Sequence, residues 1–116
     1  MYTNLYFYLV SSETIDEFME LRHQISDIML AYGTLEDRVY TTVTEKDSDL
    51  HKRFFTILNA EPDEQIILRQ TVYRNFSHYV EICEQTKEDD TMKTLTNSVN
   101  QLVHGTKMVS ASFLCE

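Results

Sequence analysis

Residues 64–84 read EQIILRQTVYRNFSHYVEICE, and the change of period inside this stretch decides the fold. Over residues 65–74, Ile66, Leu68, Gln70 and Val72 alternate with Ile67, Arg69, Thr71 and Tyr73, the two-residue period of a strand. Beyond Asn75 the period lengthens. Phe76, Tyr79, Val80 and Cys83 fall at i, i+3, i+4 and i+7, Glu81 and Glu84 lie outside that stripe, and Asn75 can cap the resulting helix. A strand through the same residues would align Phe76, His78, Val80 and Ile82 instead. Helix is the expected form, so Tyr73, Arg74, Asn75 and Phe76 make a strand-to-helix corner.

Working outward, residues 5–10 (LYFYLV) form an apolar run suited to a central strand, Leu5, Phe7 and Leu9 on one face and Tyr6, Tyr8 and Val10 on the other. A long helix follows. Thr14 with Glu17 reads as a capping box, with Ser12 as a competing cap. Ile15, Phe18, Leu21, Ile25, Ile28 and Tyr32 supply the core stripe, widened by Met19 and Met29. Gly33 ends the helix in a left-handed conformation. Residues 38–46 alternate as a half-exposed strand. Residues 50–59 fit either a short helix capped by Asp47 or Ser48, or a strand; the helix is preferred. Residues 61–64 (EPDE) are a turn. Asp89 or Asp90 can cap a last helix carrying Met92, Leu95, Val99, Leu102 and Val103, closed by Gly105, and residues 107–115 read as a final strand.

The composition narrows the function classes. With 116 residues, one domain is expected. A net charge of -9, from 19 acidic and 10 basic residues, argues against a nucleic-acid surface, which needs clustered Lys and Arg. No stretch approaches the roughly 20 apolar residues of a membrane span, and the first residues lack the basic, apolar pattern of a secretory leader. Two cysteines without metal-ligand spacing fit reduced thiols in a cytoplasmic setting. Two glycines leave no glycine-rich phosphate loop.

The order strand, long helix, strand, variable piece, strand, broken helix, strand is the ferredoxin-like β-α-β-β-α-β plan of an α+β protein, an antiparallel sheet with helices on one face. On LYFYLVSSETIDEFMELRHQI, with its Asp16-Glu17-Phe18-Met19-Glu20-Leu21 segment, and on IILRQTVYRNFSHYVEICEQ, the chain resembles the dimeric α/β-barrel proteins of the antibiotic-biosynthesis-monooxygenase-like kind. In the second segment Tyr73 takes the place of a strand-end aromatic, and Phe76 or Tyr79 that of an aromatic early in the helix. The resemblance implies a homodimer and a small-molecule-binding domain, with cofactor-free monooxygenase-like enzymes among its kin, and an aromatic or carbonyl ligand in the cleft between sheet and helices. The chain departs from the pattern in a longer segment over residues 44–63. It also lacks tryptophan, and with it any haem-degradation constellation.

The candidate chemistry is sparse. His23, His51, His78 and His104 have no i, i+4 partner, so the pattern offers no metal site. His23 is expected to be exposed, and His104 to interact with a helix C-terminus. His78, early in a helix that should line the cleft, is the general-base candidate, against the commoner role of a packing histidine. Tyr6, Tyr73 and Tyr79 can hold a phenolic or carbonyl ligand, or can simply fill a core or dimer interface. Arg69, a lone charge on an apolar strand, either binds an anion or pairs with an acid across the sheet. Cys83 on the apolar stripe is expected to be buried and inert. A second functional class stays open: a non-enzymatic acidic interaction protein, of inhibitor or immunity type, steered by charge onto a basic protein.

Overall fold

The structure is a computed structural model describing residues 1–43, 48–104 and 107–116. Strand β1 (Tyr2–Ser11) leads to helix α1 (Ile15–Ala31) and strand β2 (Glu36–Thr41). Helix α2 (Asp49–Ile57), strand β3 (Glu64–Tyr73), helix α3 (Phe76–Lys87), helix α4 (Asp90–Leu102) and strand β4 (Met108–Leu114) follow. The strands form one sheet in the order β2-β3-β1-β4, each neighbouring pair antiparallel. Thus β1 and β2 run parallel with β3 between them, and β3 and β4 run parallel with β1 between them. Two split β-α-β units interlock, which is the ferredoxin-like plan.

The helix ends follow from local chemistry. The Asn75 side chain accepts the His78 N–H at 2.8 Å, opening α3 at the corner foreseen from the sequence. Ser48 caps α2 through the His51 N–H, and Asp89 caps α4 through the Met92 N–H. Asp47 and Gly105, the other expected cap residues, lie outside the described residues. At the end of α1, Gly33 (φ 111°) lets the Thr34 N–H reach the Met29 carbonyl and its own N–H reach that of Leu30, a Schellman closure. The capping box expected at Thr14 does not form. Thr14 takes the N-cap position, but its hydroxyl donates to the Ser11 carbonyl rather than accepting from α1.

Antiparallel pairing fixes which side chains share a face. Toward α1, α3 and α4 point Tyr2, Asn4, Tyr6, Tyr8 and Val10 of β1 together with Ile67, Arg69, Thr71 and Tyr73 of β3. Phe18, Ile25 and Met29 of α1, Ile82 of α3, and Met92 and Val99 of α4 close the core over them. The α1 stripe is rotated from its expected position: Arg22 and Ser26 are buried, whereas Leu21 and Ile28 are half-buried flank residues. The same holds for α3, whose buried line is His78, Ile82 and Thr86; Phe76 is exposed and Cys83 half-buried. The opposite sheet face carries Leu5, Phe7, Leu9, Leu68, Val109 and Phe113. Helix α2 covers part of it, with Phe54 meeting Phe7 edge to face at 5.5 Å. Helices therefore lie on one face except for α2, which sits on the other.

Candidate functional site

The register places polar residues in rows under the helices. Val39, Arg69, Tyr6 and Ser110 cross the sheet in one row, and Asp37, Thr71, Asn4 and Ser112 in the next. Arg69 reaches diagonally to Asp37, donating from Nε at 3.1 Å and Nη2 at 2.7 Å. The Ser26 hydroxyl of α1 adds a 2.8 Å bond to the same carboxylate. Burial disfavours the Arg69 cation, but the hydrogen bonds and charge of Asp37 outweigh it and hold the guanidinium above its ordinary range. Of the two roles open to Arg69, the structure shows the acid pairing across the sheet.

Arg22 enters this layer from α1. Its guanidinium lies 5.8 Å from the Tyr8 ring centroid, and that of Arg69 lies 5.0 Å from the Tyr6 ring. The two rings stack with centroids 6.3 Å apart. Burial, with repulsion from Arg69, lowers the Arg22 guanidinium to about 10, so it remains a cation at neutral pH.

An aromatic cluster adjoins this layer at the strand-to-helix corner. Tyr2, Tyr73 and Tyr79 meet with centroids 5.0 to 6.4 Å apart, and Phe76 abuts Tyr2 at 5.5 Å. Burial raises the Tyr6, Tyr73 and Tyr79 phenols above their ordinary range, and Tyr79 is raised further by its hydrogen bond with Cys83. These phenols are neutral donors at physiological pH, not bases. The Tyr2 hydroxyl donates to Ser112 Oγ at 3.0 Å, which donates to Asn4 Oδ1 at 2.6 Å. Ser110 and Ser112 share the helix-facing side of β4 yet are exposed. The helix layer thus leaves this edge of the sheet uncovered, beside half-buried Tyr2 and Tyr6, while Asn4 is buried.

His78 is buried, and its Nδ1 accepts the Arg74 N–H at 3.0 Å. With Asn75 it ties the corner from both sides. The Nε2 atom is directed toward Gly33, 3.9 Å from where a Cβ there would stand. His78 meets Tyr73 edge to face at 5.8 Å. Between α3 and α4 a groove of about 560 Å³, lined by Cys83, Thr86, Lys87, Met92, Lys93, Thr96 and Asn97, opens to the surface. Among the described residues no His, Cys, Asp and Glu come together as a metal site.

Tyr6, Tyr73, Tyr79 and Arg69 are therefore brought into one region, with His78 at its corner. Arg22, Asp37, Asn4 and Ser112 were not foreseen there. Arg22 carries a legible signal, because Phe18, Arg22, Ile25 and Met29 hold i, i+4, i+7 and i+11 spacing. Asp37 carries none that precedes knowledge of strand order.

No family model matches the sequence, and no curated protein sequence does. The structure does find relatives of its fold. A protein of Nitrosomonas europaea described as an antibiotic biosynthesis monooxygenase superposes with a TM-score of 0.66 at 9% identity, covering 99% of this chain and 98% of its own. A NIPSNAP domain protein of Burkholderia xenovorans gives 0.64 at 14% identity, covering 100% and 95%. A NIPSNAP family protein of Agrobacterium tumefaciens gives 0.63 at 13%, covering 99% and 85%. The fold is the ferredoxin-like one that these structures share. At these identities the likeness carries the fold alone.

Proposed function

We propose that this chain is a small-molecule-binding domain that holds an aromatic or carbonyl ligand between the helix layer and the sheet, with Tyr6, Tyr73 and Tyr79 as its hydrogen-bonding and stacking residues. The supporting observation is the polar, aromatic layer around Tyr6, which opens to solvent along β4 where Ser110 and Ser112 are uncovered. A structural core of this size needs no buried ion pair and no stacked tyrosines beside an open edge. Arg69 serves the site by fixing Asp37 and the Tyr6 ring. His78 accepts the Arg74 N–H on Nδ1, so its neutral ring carries the proton on Nε2 and offers a hydrogen-bond donor, not a base, to any cofactor-free chemistry of the monooxygenase-like kind.

The proposal includes a homodimer in a reducing cytoplasm, joined through the sheet face that α2 leaves bare. Phe113 and Val109 are each 51% exposed there, an apolar surface that water disfavours. The test is a nuclear magnetic resonance titration of the full chain with phenols and aryl ketones. Resonances of Tyr6, Tyr73 and Tyr79 are expected to shift together, and Tyr6→Phe or Tyr79→Phe to weaken binding roughly fivefold to tenfold through loss of one hydrogen bond. Shifts confined to the groove between α3 and α4 would overturn the placement, and no shifts at all would overturn the binding role.

A further inference from the structure

The helix-side core holds more positive charge than it neutralises. Arg22 and Arg69 are 6% and 8% exposed, and among the described residues the only buried carboxylate is Asp37. Arg69 takes that carboxylate through its Nε and Nη2 edge. Arg22 presents the same edge, and both of its donors, Nε and Nη2, are buried without an acceptor. The Tyr8 ring faces the guanidinium but takes up neither N–H. A buried guanidinium with an unfilled edge is costly, and carboxylates fill such an edge through two parallel N–H bonds. The orphaned fork and the stacked phenols of Tyr6 and Tyr8 lie together in this layer, which ends at the uncovered edge strand β4.

We infer that the ligand of this site is a small aromatic acid and that Arg22 anchors its carboxylate through the Nε and Nη2 edge. This rests on the reading of a ligand held between helices and sheet, and it adds the anionic group and the residue that recognises it. The Asp37–Arg69 pair leaves one arginine over: both oxygens of Asp37 accept from the Arg69 fork and Oδ1 also from Ser26, whereas the Arg22 fork has no acceptor. The planar fork favours carboxylate over a tetrahedral dianion, whose second charge would exceed the single charge left uncompensated.

The test uses the full-length protein with 4-hydroxybenzoate, its methyl ester, acetate and inorganic phosphate, read by calorimetry and by the Arg22 Nε–H resonance. The acid is expected to bind at least about tenfold tighter than the ester and to move the Arg22 resonance. Arg22→Lys keeps the charge without the fork and should narrow the preference for the acid, and Arg22→Met should bring acid and ester to equal affinity. Arg22→Met should melt no lower than wild type, because it removes an uncompensated charge. Equal binding of acid and ester by wild type would overturn the carboxylate anchor and leave the ligand-binding reading standing. A shift of Arg22 with phosphate but with neither carboxylate would overturn the ligand class. Acetate moving Arg22 while neither aromatic binds would support the anchor and count against the larger ligand site. A markedly lower melting point in Arg22→Met would mean that the guanidinium is already satisfied, and would overturn the inference.

Discussion

Asp37 shows how much one buried side chain can carry. Its oxygens accept from Arg69 twice and from Ser26 once, and without it the buried guanidinium groups of Arg22 and Arg69 would have no buried carboxylate among the described residues. Asp37→Asn is therefore expected to destabilise the fold by about 3–5 kcal/mol, the usual range for breaking a buried pair from one side; urea denaturation measures it. Gly33 is a second single-residue dependence. At φ 111° any side chain strains the backbone, while a Cβ would meet Ile82 Cδ1 only at an ordinary 3.5 Å. Gly33→Ala should thus lose about 1–2 kcal/mol from strain rather than collision, seen in the same denaturation. Asp89 illustrates a surface effect. A hydrogen bond from Tyr32, then one from the Met92 N–H, holds its carboxyl below the ordinary range. A depressed folded value means that the contribution is present above the unfolded carboxylate range and is lost as pH falls through the folded value. Tyr32→Phe should therefore flatten the acid side of a melting-temperature profile and leave its neutral part less stable.

At the scale of elements, the corner between β3 and α3 joins fold to site. Asn75 accepts the His78 N–H while the His78 ring accepts the Arg74 N–H, so the helix start and the strand end are fastened by reciprocal bonds. Asn75→Ala should cost about 1 kcal/mol, typical of a lost cap, and should raise hydrogen exchange at the first turn of α3 before the rest of the helix. The period in residues 76–83 foretold a helix and the structure has one, but its buried line runs through His78, Ile82 and Thr86. The stripe of Phe76, Tyr79, Val80 and Cys83 instead forms the flank that meets the aromatic cluster and the groove. Helical spacing specifies a repeat, not the angle at which the helix settles; packing against Gly33 and Tyr73 sets that angle.

Over the whole molecule, one sheet separates two different surfaces. Its helix side covers an ion pair and tyrosines but leaves β4 bare, and its other side is apolar and only partly covered by α2. Leu50 and Ile57 of α2 are 70% and 81% exposed, extending the apolar area beyond the sheet. Sedimentation is expected to give a dimer at micromolar concentration, and Val109→Lys a monomer of unchanged helical content, because a charge opposite Phe7 would be desolvated on pairing. A wild-type monomer at high concentration would leave the apolar face without the proposed mate.

The local code determined much of this protein. Alternation over residues 65–74, helical spacing after Asn75 and the punctuation by Gly33 and Pro62 set the order of elements, because period and turn chemistry act over a few neighbouring residues. They set the α+β class, and with it the ferredoxin-like plan, and they marked Tyr6, Arg69, Tyr73 and Tyr79 as one-sided residues. Only the tertiary structure decided their company. Asp37 stands 32 residues before Arg69, and it becomes its partner through the β2–β3 pairing. Arg22 lies outside the stripe expected for α1, and the rotation of that helix buries it over Tyr8. A charge in sequence has no burial; the packing of helix on sheet supplies it, and with it the unfilled edge on which the ligand proposal turns.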